Sequence, residues 1–197
     1  MNTPTLAPVA PPPIAALDLA PRALPAFEAD ALVAGHREAL ARIAWAVEQL
    51  PAPWHHRSPG GAIVGCEPGA WSVAENLAHL YVYEDLNTLP ALTTLATGGI
   101  AIGVHGPRTA EFQQAQAALR GAPVPQLLSR LWAAHWQLAA LARSFAPADF
   151  NRAHAHGPNP DFLFDRSIPG WLVAKSLQHF WEHGATVQRV LLFASRA

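Results

Sequence analysis

The chain has 197 residues, 51% hydrophobic and 14% charged, and its 13 basic and 14 acidic side chains give a formal net charge of −1. The length suits a single domain; the apolar content excludes a solvated, disordered chain, and the sparse charge excludes a coiled coil, whose seam needs flanking charges. The basic residues are scattered rather than gathered in a stripe, which argues against nucleic acid as a partner.

Met1 to Pro25 carries seven of the 19 prolines, many beside alanine, and is expected to be an irregular arm (residues 1–25) ahead of one globular domain (26–197). From Phe27 to Leu50 there is no proline, and Leu32, Leu40, Ile43, Val47 and Leu50 recur at helical spacing until Pro51 and Pro53 stop them. Ala52 to Ala70 is rich in proline and glycine and reads as a loop. A second helix opens at Trp71-Ser72-Val73-Ala74-Glu75, where Ser72 and Glu75 form the S-x-x-E capping box. It is expected to run to about Thr88, with Pro90 ending or kinking it. Thr109 to Leu119 reads as a short helix, Pro125 to Phe145 as a third long one, and Pro169 or Gly170 to Phe193 as a fourth. Four long helices without an alternating strand predict an all-α fold, a four-helix bundle.

Cys66 is the only cysteine, so no internal disulfide can form. The amino end lacks the basic region of a secretory leader. The longest uncharged stretch, Leu86 to Pro107, is interrupted by Pro90, Gly98, Gly99 and Gly103, unlike a membrane span of about 20 apolar residues. A cytoplasmic protein with no membrane partner is expected.

Among 10 histidines the most informative are His179 and His183. A spacing of four puts them one turn apart on one helix face, in a stripe with Leu172, Ser176, Thr186 and Val190 at the shoulder of the apolar arc. Two imidazoles so placed can hold a transition metal through their neutral nitrogens, or can be ordinary helix histidines bonded at an interface. His79, two turns into the second helix, is a further candidate ligand, although sequence spacing alone does not bring the two helices together. Glu75 is accounted for by the capping box. His179 to His183 also fits H-x-x-E-H, the inverted zinc-protease motif, but no Asp or Glu follows to supply the acidic third ligand. A ferritin-like di-iron site is excluded because the chain has no Glu-x-x-His motif. His55, His56, His105, His154 and His156 fall in predicted loops, His135 lies between Trp132 and Trp136 and reads as packing, and Trp181 lies outside the main apolar arc, as a residue at a dimer surface would.

A helix opening W-S-x-x-E-x-L-x-H-L (Trp71 to Leu80), followed about a hundred residues later by H-x3-H, resembles the DinB-like superfamily of small four-helix bundles related to bacillithiol and mycothiol S-transferases. The resemblance covers roughly Ala26 to Leu192. It implies a divalent metal ion, zinc or nickel, held by His79, His179 and His183, with coordination positions open to water or substrate. It further implies a metal-dependent enzyme of thiol S-transferase or hydrolase type in a stress context, with a small-molecule substrate, a low-molecular-weight thiol as co-substrate, and a homodimer. Two other readings stay open: a bundle that binds a metal or small ligand without turnover, and an interaction module with structural histidines.

Overall fold

The structure, a computed structural model, describes residues 23–59, 70–100, 105–106, 108–155 and 167–195. Most of the expected arm and the loop carrying Cys66 lie outside these residues, as does His156. The described residues are helical, with no strand among them. The long first helix, α1 (Ala29–Gln49), buries Leu32, Leu40, Ile43 and Val47, as the spacing predicts. A single 3-10 turn follows at Ala52–Trp54.

The next helix departs from expectation. α2 (Val73–Tyr83) passes into a wide π turn at Glu84–Thr88 and then into α3 (Leu89–Ala96), so helical backbone runs straight through Pro90. Proline ordinarily breaks a helix because it lacks an N–H and its ring clashes with the carbonyl four residues back. Here the backbone N–H of Leu89 reaches the carbonyl of Glu84, five residues back, and the widening precedes Pro90, which sits in the first turn of α3 where its missing donor is tolerated.

The remainder follows the predicted order: α4 (Ala110–Ala118, capped by Thr109), α5 (Val124–Ser144), a short α6 (Pro147–Phe150) not anticipated from sequence, and α7 (Pro169–Ala194). α1, α2–α3, α5 and α7 form the bundle, with α1 and α7 sharing its largest interface and α5 packing on α1, α2 and α3. α1 and α7 approach closely at Gly184, where an added Cβ would lie 3.1 Å from Ile43 Cγ1. The core is mainly Leu, Ile, Val, Ala and Phe; each fully buried leucine contributes roughly 1.5–3 kcal/mol. Trp181 is partly buried and packs against this core. No helix among the described residues is long and apolar enough to cross a membrane.

A polar chain crosses the apolar core. His36 of α1, His135 of α5, Ser176 of α7 and Glu84 of the π turn are each no more than 1% exposed. The Nδ1 atoms of His36 and His135 lie 3.1 Å apart, and His36 Nε2 is 2.9 Å from Ser176 Oγ. The Ser176 hydroxyl donates to Glu84 Oε1 at 2.6 Å, so it must accept from His36 Nε2–H. His36 Nδ1 then carries the lone pair that accepts from His135 Nδ1–H, and the bonds run in one direction from α5 to the carboxyl group. Burial lowers the pKa of His36 to about 3 and of His135 to about 4, keeping both neutral. Burial pushes the Glu84 carboxyl up to about 7, against the opposing pull of the Ser176 and Thr88 hydroxyls.

This elevation makes stability depend on pH. The stabilisation from protonated Glu84 is fully present below its unfolded value of 4.5 and is lost as pH rises through about 7. Glu84→Gln has no proton to lose. Its unfolding free energy relative to the wild type is expected to climb by roughly 3 kcal/mol over that interval, measured by urea denaturation at fixed pH values. A difference that stays constant with pH would show that the buried carboxyl does not titrate in this way.

Candidate metal centre

The capping box expected at the start of α2 is present in both directions. The Ser72 backbone N–H donates to Glu75 Oε2 at 2.8 Å, and the Glu75 N–H donates to Ser72 Oγ at 3.2 Å. This cap fixes the first turn of α2 and leaves Trp71 just outside it. Two turns further on, His79 is directed toward α7 and meets His179 and His183.

The three rings form a nearly equilateral triangle. Ring centroids are 4.9 Å apart for His79 and His179, 4.8 Å for His79 and His183, and 4.7 Å for His179 and His183. One ligand nitrogen from each lies within 4.8 Å of the other two, the only such group of three found among the described residues. His79 Nε2 and His179 Nε2 are 3.0 Å apart. Two nitrogens bound at about 2.0–2.1 Å to one ion have a separation of this order. His183 Nδ1 is engaged on the other side, 2.7 Å from Asn76 Oδ1.

Burial lowers the pKa of all three imidazoles. His79 falls to about 4, with the Gln116 side chain acting in the opposite direction. His179 and His183 fall further because each also faces neighbouring rings of the cluster. The rings are therefore neutral near pH 7, and protons do not compete for their lone pairs. His79 Nδ1 and His179 Nδ1 are buried without a hydrogen bond. An all-imidazole, uncharged donor set of this kind fits a borderline divalent ion such as zinc or nickel.

Aromatic groups wall the cluster. Trp71 packs against His79 with centroids 4.6 Å apart and stacks on His183 at 6.0 Å, while remaining 38% exposed. Phe112 of α4 lies 5.3 Å from His79, and Tyr83 lies 4.4 Å from His179. A small recess of about 180 Å³ beside His179 is lined by Tyr83, Lys175, Gln178 and Glu182. Glu182, the acid of the apparent H-x-x-E-H pattern, is exposed and accepts a bond from Gln178.

The other sequence candidates lie elsewhere. His55 is 3.4 Å from the Val47 carbonyl, His56 is exposed, His105 pairs loosely with Glu111 at 3.8 Å, and His154 is 3.1 Å from the Asp149 carbonyl. His135 packs on Trp132 and Trp136, but it also bonds His36, which sequence reading did not single out. His36 lies four residues from both Leu32 and Leu40 on the apolar face of α1, and that position was the available signal. The apposed Nδ1 atoms of His36 and His135 resemble a ligand pair in spacing only, because His36 Nε2 is committed to Ser176 and no third donor joins them.

The fold and this cluster define an all-α bundle with three histidines that could hold a metal ion. The chain belongs to the DinB superfamily, whose sequence profile matches residues 36–187. No curated protein and no solved structure matches it.

If the triangle holds an ion, purified wild-type protein is expected to contain close to one equivalent of divalent metal by elemental analysis, and His179→Ala is expected to lose it. Equal metal in the two proteins would remove the site.

Proposed function

We propose that the chain is a metal-dependent enzyme in which His79, His179 and His183 hold one divalent ion, zinc or nickel, and a small-molecule substrate reaches the ion's open positions. The observation that carries this reading is the triangle of neutral imidazoles, one buried and two half-buried, with two Nε2 atoms 3.0 Å apart. Three histidine ligands leave a position free, the arrangement of catalytic rather than structural sites. When bound, such an ion supplies Lewis acidity that lowers the pKa of a coordinated thiol or water.

The chain's own residues supply orientation and exclusion of water. Trp71, Phe112 and Tyr83 shield the rings, and the exposed part of Trp71 offers an apolar surface to an incoming substrate. The reaction proposed, by kinship with the S-transferases of the superfamily, joins a low-molecular-weight thiol to an electrophile. The thiol loses its proton, its sulfur forms the new bond, and the electrophile releases its leaving group. Hydrolysis is the same scheme with water as nucleophile. A stress-related role and a homodimeric state are part of this proposal.

The test is a screen of the metal-loaded protein for thiol conjugation to electrophiles and for ester hydrolysis. Activity is expected to fall at least about 100-fold in His79→Ala, since the ion's charge stabilisation is worth several kcal/mol. Activity that survives this substitution undiminished would refute the enzymatic reading of the site. One observation favours the second reading, a bundle that binds metal or a small ligand without turnover. The recess beside His179, about 180 Å³, is smaller than the roughly 300–1,000 Å³ of ordinary small-molecule sites. Stoichiometric metal with no activity across the screen would favour it.

A further inference from the structure

We infer that Asn76 is a positioning residue that fixes the tautomer of His183 and so aims its Nε2 lone pair into the three-histidine cluster. Two backbone carbonyls fix the orientation of the Asn76 amide. Asn76 is 3% exposed, and its side-chain amide lies 2.8 Å from the Ser72 carbonyl and 3.2 Å from the Trp71 carbonyl. Carbonyl oxygens only accept, so the amide nitrogen must face them, and the usual ambiguity between amide nitrogen and oxygen is resolved by the neighbours. The amide oxygen is then the atom that meets His183 Nδ1 at 2.7 Å. An amide oxygen also only accepts, so His183 Nδ1 carries the proton. A neutral imidazole has one N–H, and the lone pair is left on Nε2.

The same amide ties the site to its walls. Its two donor bonds hold the carbonyls of Trp71, which stacks on His183, and of the N-cap Ser72. One side chain therefore links the helix start, the aromatic wall and one prospective ligand. An amide does this without adding charge, unlike the carboxylate often found behind a metal-bound histidine. Asn76 thus leaves the donor set neutral and the full charge of an ion available to a substrate.

The inference rests on the three-histidine reading for its effect on metal, and its tautomer claim is measured on metal-free protein, so the two fail separately. In 15N-labelled, metal-free wild type, the His183 nitrogens are expected to show the Nδ1–H form. Asn76→Ala is expected to lose that preference and to bind zinc about 10–100-fold more weakly in a chelator competition. Helical circular dichroism establishes that the variant is folded. If folded Asn76→Ala keeps the Nδ1–H form or binds zinc as tightly as wild type, or if wild type itself lacks that form, the positioning role is overturned. Wild type that shows the Nδ1–H form but binds no zinc would uphold the tautomer assignment and refute the metal reading.

Discussion

An imidazole ring is tolerated inside an apolar bundle only if its nitrogens find partners, and this constraint organises the protein twice. In the core, His135 and His36 pass hydrogen bonds to Ser176 and Glu84, and the chain ends on a carboxyl group that can accept them. In the cluster of His79, His179 and His183, hydrogen bonding does not finish the work. Two Nε2 atoms face each other, two Nδ1 atoms lack a bond of ordinary geometry, and His183 has an outer partner in Asn76. The first arrangement is linked end to end, although His135 Nε2 and Glu84 Oε2 at its two ends have no hydrogen bond. The second brings three imidazoles together in a geometry that could hold a cation.

Both clusters draw on the same two helical segments, and the core chain adds His36 of α1 and His135 of α5. His79 meets His179 and Glu84 meets Ser176, so rising numbers on one segment pair with falling numbers on the other and the helices run antiparallel. Ser176, His179 and His183 share one stripe of α7. That helix contributes to the core polar chain and to the three-histidine cluster a single turn apart.

Much of this was legible in the sequence, because the signals were local. Proline boundaries, leucine spacing and the Ser72–Glu75 box located the long helices to within a few residues. The order of His79, His179 and His183 in their helices carried the family resemblance, and the fold brings the three together. What escaped was non-local. His36 and Glu84 are lone polar residues on apolar faces, and nothing in their own segments shows that Ser176 will stand between them. Pro90 read as ending or kinking the helix because the widening before it leaves no compositional trace. The role of Asn76 depends on carbonyls four and five residues back and on a ring from the far end of the chain.

The π turn at Glu84–Thr88 has a geometric consequence for the bundle. A regular helix turns about 100° per residue, so Leu80 and Leu92, both fully buried, would point about 120° apart on an unbroken one. Discounting the one residue that the wide turn absorbs reduces this to about 20°. The turn acts as a one-residue phase adjuster: the half bearing His79 is aimed at α7, and the half bearing Leu92 is aimed at the core, along an otherwise continuous rod. Deleting a residue there would restore helical regularity and leave both halves aimed as they are, whereas regularising the turn with every residue kept would swing one half away from its target.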